Sequence, residues 1–247
     1  MTYGGKGNCL LIRVRKAIPV NAVRAPIALF AGLALFVGLA SSASKASNSP
    51  EQVFLSTLST LRSLDPTVAS VRVRILDAPR NKTGCGNAEN GDSVGFYCQL
   101  DRTIYISLNM LDSISKNYGS SAVRYLAAHE MAHGRQHAVT GFSKDLVWSS
   151  VLDELQADCI AGSYLRIAYG YTPESTQGEE VRKFAYNIGD REYRHHDWHG
   201  NPRLRVTAVS LGMRTTEPSR CLSSKRFNYE SLRESGAEML RQWRKKN

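Results

Sequence analysis

A run of histidines, AAHEMAHGRQHAV at 127–139, constrains this 247-residue chain more than any other feature. It lies in a stretch, 120–140, that has no proline and a single glycine, which predicts one helix of about five turns. Residues four apart lie on one side of a helix, so His129 and His133 can reach the same ion. Glu130 follows the first histidine and completes the spacing HExxH. The pattern indicates either a zinc site or a helix with one polar side.

A catalytic zinc normally has three protein ligands, so the pair of histidines needs a third residue. A histidine six positions after His133 is excluded, because Val139 occupies that position. Glu154, in VLDELQADC, follows His133 by 21 residues, which leaves room for a turn and a second helix. Asp158 lies one turn further, where its carboxylate can accept the N–H of His129 and fix the direction of that ligand. The sequence therefore predicts zinc bound by the two histidines and Glu154.

The N-terminal 46 residues form a separate region. They hold six basic residues and no acidic one, so they account for six of the ten net positive charges and leave +4 for the rest. That small excess does not favour nucleic-acid binding. Residues 1–24 are a basic segment, and residues 25–46 begin with an uncharged apolar run and end in a linker. This order is typical of a cleaved signal peptide, and also of a retained helix that anchors the chain in the membrane.

In both cases residues 47–247 are predicted to form one domain outside the cytoplasm. With a retained anchor this domain is attached to the membrane of the cell envelope, and after cleavage it is secreted or periplasmic. Cysteine usage favours such a compartment, because Cys85, Cys98, Cys159 and Cys221 form an even set, whereas Cys9 precedes the apolar run.

Four cysteines allow three pairings. Cys85 and Cys98 lie in or beside one turn-rich segment, which favours a disulfide between them that stabilises by about 3 kcal/mol. Cys159 and Cys221 then pair by elimination. The alternative is four free buried thiols.

Hydrophobic periodicity predicts an α+β fold that is mostly helical. A small sheet precedes the histidine helix, and an apolar helix lies at the N-terminus. The predicted elements of the domain are a helix at 51–64, a strand at 71–76, a hairpin of 95–100 and 103–108, helices at 120–140 and 144–169, two helical pieces within 177–214 and a helix over the last 20 residues.

These motifs together resemble a known family. HEMAHGRQH, ELQADCIAGSYL, NIGD and HGNPRLRVTAVSLGM, with the earlier GFYCQLDRTIYISL, are similar to the neutral zinc metallopeptidases of bacterial envelopes. The resemblance covers about residues 51–225 and implies a zincin-like domain with His129, His133 and Glu154 as zinc ligands. It also implies Glu130 as general base, and it matches His199 to a histidine of the family's late motif.

The resemblance implies hydrolysis of a peptide or protein substrate. A water molecule on Zn²⁺ would attack the peptide carbonyl, and Glu130 would take its proton. His199 lies in REYRHHDWH, a polar segment from which one side chain could stabilise the oxyanion. The alternative function is a zinc-binding envelope module without catalytic activity. The intact Glu130 argues against it, because a structural zinc site more often has a fourth protein ligand.

Overall fold

The computed structural model describes residues 48–77, 80–89, 95–140, 150–189 and 200–222. The predicted N-terminal apolar helix, the predicted C-terminal helix and His199 lie outside these ranges. Among the described residues, no helix combines the length and apolar character that crossing a membrane requires.

Six helices form most of the described chain, as predicted for an α+β fold. They are α1 (Pro50–Leu64), α2 (Leu108–Tyr118), α3 (Ser120–Thr140), α4 (Ser150–Tyr169), α5 (Thr176–Ile188) and α6 (Pro202–Gly212). The predicted histidine helix is confirmed as α3. The helix α2 was not predicted from the sequence, since its Asn, Asp and Ser residues favour turns. Burial of Met110, Leu111 and Ile114 on one side outweighs that preference.

A three-stranded sheet lies before α3 in the chain. Its order is β1 (Arg72–Leu76), β5 (Thr103–Ser107) and β4 (Gly95–Cys98). The strands β4 and β5 pair antiparallel, which confirms the predicted hairpin, and β1 pairs with β5 in parallel. A separate hairpin of β2 (Arg80–Thr83) and β3 (Gly86–Glu89) lies between β1 and β4 in the chain and was not predicted from the sequence.

The helix α3 is the centre of the domain. It is buried along most of its length and packs against α1, α2, α4, α5 and the strand β4. Gly134 lets Val71 and Tyr97 approach α3 closely, because a Cβ at this position would lie 2.7 Å from Val71 Cγ2 and 3.6 Å from the Tyr97 ring. The helix that carries the histidines is therefore held on nearly every side.

The helices α4 and α6 touch through their backbones. A Cβ added at Gly162 would overlap the carbonyl of Val209, and one added at Gly212 would overlap the carbonyl of Cys159. Both predicted disulfides are present. Cys159–Cys221 links α4 to the 3-10 turn after α6, and Cys85–Cys98 links the β2–β3 turn to β4.

The Gly212→Ala variant is expected to lower the free energy of unfolding by about 1–3 kcal/mol, because the new methyl group forces α6 away from α4. Helix propensity alone predicts the opposite sign, since alanine favours a helix over glycine. Urea denaturation measures the change. Arg203→Ala, at an exposed position of the same helix, is the control and should change stability by less than about 0.5 kcal/mol. Equal stability of the Gly212 variant and the unchanged chain would contradict the close contact.

Candidate metal centre

Two imidazoles from α3 face each other in the interior. His129 and His133 lie one turn apart, and their Nε2 atoms are 3.2 Å apart. The two rings are nearly perpendicular, with an interplanar angle of 88°. The His129 side chain is 1% exposed and that of His133 is 14% exposed, so the pair is reached from outside on the His133 side.

Glu154 brings a carboxylate to the same point from α4. Its Oε2 lies 3.3 Å from Nε2 of His129, and its Oε1 lies 3.2 Å from Nε2 of His133. One nitrogen from each imidazole and one oxygen of the carboxylate all lie within 4.8 Å of one another. The three residues that the sequence proposed as ligands are therefore brought together in the fold.

The hydrogen-bond partner of Nδ1 in each imidazole determines which ring nitrogen carries the proton and which has the free lone pair. Nδ1 of His133 lies 2.8 Å from Oε1 of Gln136. That amide is oriented by its Nε2, which donates to the carbonyl of Asp153, so its oxygen must accept from His133. Nδ1 of His129 lies 2.9 Å from the Asp158 carboxylate. In the neutral form both imidazoles thus carry their proton on Nδ1 and direct the Nε2 lone pair at Glu154.

Asp158 is the centre of a buried network on the far side of His129. Tyr125 donates a hydrogen bond to its Oδ1. Arg205 on α6 donates from Nε to Oδ2 at 2.9 Å and from Nη2 to Oδ1 at 2.7 Å. Nη1 of Arg205 also lies 3.2 Å from Oε2 of Glu154. Asp158, Glu154 and Arg205 are all fully buried, so each charge depends on the others for compensation.

The pKa shifts show that the cluster attracts positive charge. Burial alone would lower the pKa of His129, but Glu154 and Asp158 outweigh burial and raise it to about 10 in the metal-free chain. Burial alone would also raise the pKa of Glu154, yet the imidazoles and Arg205 hold it well below its usual value. A carboxylate that stays ionised in the interior is a suitable ligand for a cation.

Glu130 has a different environment from Glu154. It is 1% exposed, and burial raises the pKa of its carboxyl above the usual value. The facing histidines and the backbone N–H of Tyr97 on β4 oppose that shift only in part. A raised pKa brings a carboxylate closer to the neutral range in which a general base works best.

The residues present fit a zinc ion. Two neutral imidazole nitrogens and one carboxylate form a donor set of catalytic zinc sites, in which three protein ligands leave one position for water. Among the described residues, neither carboxylate oxygen of Glu154 accepts a hydrogen bond of good geometry. Arg205, 3.2 Å from Oε2, compensates the buried charge of Glu154 in part, and a cation held by the three side chains would compensate it further.

Comparison with known proteins agrees with this geometry. A family profile described as "Putative neutral zinc metallopeptidase" matches residues 72–221, which is more than half of the chain. The chain belongs to this family. Among curated relatives of the chain, an uncharacterized protein of Mycobacterium tuberculosis is 37% identical over 105 residues, covering 38% of the chain and 35% of the relative. The uncharacterized protein YpfJ of Escherichia coli is 28% identical over 172 residues, covering 57% of each.

The match thus spans between about a third and about three fifths of the length of these two relatives. No solved structure matches the chain.

Three residues that contact the cluster were not predicted from the sequence. Tyr125 and Gln136 could have been found, because each lies three or four residues from a ligand histidine on the same helix. Arg205 could not, since it lies 47 residues from Asp158 and only the packing of α6 on α4 brings them together. His137, the third histidine of the motif on α3, is half-buried, and its Nδ1 lies 3.0 Å from the hydroxyl of Tyr97.

Proposed function

We propose that this chain is a zinc-dependent peptidase in which His129, His133 and Glu154 hold the metal. The observation that carries the proposal is the convergence of two imidazole nitrogens and one carboxylate oxygen, all within 4.8 Å of one another, in a buried cluster that attracts positive charge. When bound, zinc would acidify water and polarise the scissile carbonyl.

Glu130 is the general base in this proposal. Its carboxylate takes the proton of the attacking water and passes it to the leaving amine. The position next to His129 on the buried helix supports this role, because it puts the carboxyl beside the ligands without making it one of them. The raised pKa of Glu130 supports it as well, since the proton must be accepted and then released in one cycle.

Asp158 orients His129, because its Oδ1 lies 2.9 Å from Nδ1 of the imidazole. His199 remains the proposed stabiliser of the oxyanion. It immediately precedes Gly200, which is buried close to Leu155, and Leu155 follows Glu154 on α4. The chain therefore passes beside the metal-binding helix one residue after His199.

The proposal includes a location. Two disulfides in the domain support an extracytoplasmic compartment, where such bonds persist. Residues 1–24 and 25–46 are proposed as the basic segment and the signal peptide or membrane anchor, and residues 47–247 as the metallopeptidase domain that acts on peptides or proteins in the cell envelope.

The test combines metal analysis with hydrolysis. The purified, disulfide-bonded chain is expected to contain one zinc ion and to cleave a proteome-derived peptide library, as followed by mass spectrometry. A zinc chelator should abolish the cleavage, and added zinc should restore it. Glu154→Gln is the matched variant, because it keeps the shape of the side chain but removes the ligand charge. Zinc binding without cleavage would favour the non-catalytic module, and cleavage that survives complete metal removal would overturn the proposal.

A further inference from the structure

Arg205 has the largest side chain that the described part of the fold buries completely. A guanidinium without water is costly unless carboxylates and hydrogen bonds compensate it. Its charged partners are Asp158, which it contacts through two nitrogens at 2.7 and 2.9 Å, and Glu154, whose Oε2 lies 3.2 Å from Nη1. All three nitrogens of the guanidinium thus face carboxylates of α4.

These contacts reach two of the three proposed zinc ligands. One route is direct, from Nη1 to Glu154. The other runs through Asp158, whose Oδ1 lies 2.9 Å from Nδ1 of His129. The guanidinium is planar and rigid, so its two hydrogen bonds fix the direction of the Asp158 carboxylate in a way that a lysine ammonium cannot, while Nη1 attracts the Glu154 carboxylate as an ion pair.

The backbone that carries Arg205 is held as firmly as its side chain. Asn201 caps the N-terminus of α6 by accepting the N–H of Leu204 at 2.9 Å. The backbones of α6 and α4 touch at Gly162 and Gly212, which leaves no room for a shift of one helix along the other. The distance from Arg205 to the carboxylates is therefore set by the packing of the two helices.

We propose that Arg205 is a positioning residue of the metal site, which holds Glu154 and, through Asp158, His129 in the directions needed to bind zinc. This inference rests on the proposed function. A purely electrostatic role predicts the opposite effect on the metal, because a buried positive charge repels a dication and its removal should tighten zinc binding. A role in orienting the ligands predicts weaker zinc binding, typically by 10–100-fold, when the planar fork of N–H donors in the guanidinium is lost.

The experiment measures zinc affinity of the disulfide-bonded chain by competition with a chromophoric chelator. Arg205→Lys keeps the charge and loses the planar fork, and it is expected to raise the zinc dissociation constant about 10–100-fold. Arg205→Met loses charge and fork and should also bind zinc more weakly. Asp158→Asn removes the carboxylate charge that joins Arg205 to His129 and leaves the contact of Arg205 with Glu154, so a smaller rise is expected.

Arg135→Lys is the matched control. Arg135 also forms an ion pair inside the domain, but its partner is Asp65 at the end of α1 and not a residue of the metal cluster. This variant should lose stability and keep its zinc affinity, with circular dichroism to show that each variant is folded.

Two results would overturn the inference: zinc affinity in Arg205→Lys equal to that of the unchanged chain, or tighter binding in folded Arg205→Met. Unchanged affinity in Asp158→Asn would overturn the route through Asp158, which keeps the inference testable if both Arg205 variants fail to fold. A parent chain that binds no zinc would instead refute the proposed function.

Discussion

The Glu130→Gln variant is expected to bind zinc as the unchanged chain does and to cleave peptides about 10²- to 10⁴-fold more slowly. Glutamine has the shape of glutamate but cannot take a proton from water, and Glu130 is not among the three residues whose ligand atoms converge. The loss should appear in kcat and in kcat/KM alike, because proton transfer is needed only in the transition state. Zinc content by elemental analysis and steady-state kinetics on one cleaved peptide measure the two effects.

A matched control is Glu179→Gln, which makes the same chemical change on the exposed side of α5, where Glu179 pairs with Lys183. This variant should keep both zinc and turnover. Cleavage by Glu130→Gln at the rate of the unchanged chain would show that the general base is another residue. Loss of zinc from Glu130→Gln would show that this carboxyl contributes to metal binding.

Removal of zinc is expected to lower the stability of the domain by a large amount. At a zinc concentration of about 1,000 times the dissociation constant, binding contributes about 4 kcal/mol, which corresponds to a fall of roughly 10 °C in Tm for a domain of this size. The physical reason is the buried cluster, in which the carboxylates of Glu154 and Asp158 share the guanidinium of Arg205 and a dication would add the positive charge that compensates them. Differential scanning calorimetry with and without chelator measures the shift.

The Glu154→Gln variant tests whether the effect of zinc on Tm arises at the proposed metal site. The variant lacks the ligand charge, so its Tm should be nearly independent of zinc, whereas the unchanged chain responds fully. A chelator that leaves the Tm of the unchanged chain in place would contradict metal binding by the cluster. An equal response of both chains would place the zinc effect at a different site.

The parts of the structure predicted from sequence are those set by local spacing. The pair His129 and His133 follows from the period of one helix, and Glu154 with Asp158 follows from the period of the next. The hairpin of β4 and β5 follows from two apolar runs separated by two residues. In each case the residues that interact are near in the sequence, or lie on two helices that follow each other in the chain.

The parts that were not predicted depend on contacts between distant segments. The parallel pairing of β1 with β5 joins residues that are 31 positions apart, as in Arg72 with Thr103, and nothing in either strand specifies the partner. Arg205 appears in the sequence as one more basic residue of a helix. Its burial follows from the glycines that let α6 approach α4, and neither glycine lies in the histidine motif.

The bond between Cys159 and Cys221 begins one residue after Asp158, on the helix that carries Glu154. If the cluster binds zinc as proposed, oxidation of these thiols and uptake of the metal would both stabilise the same arrangement of α4. By thermodynamic linkage each event favours the other to an equal degree. A redox titration of this cysteine pair with and without zinc would give the size of that coupling in millivolts.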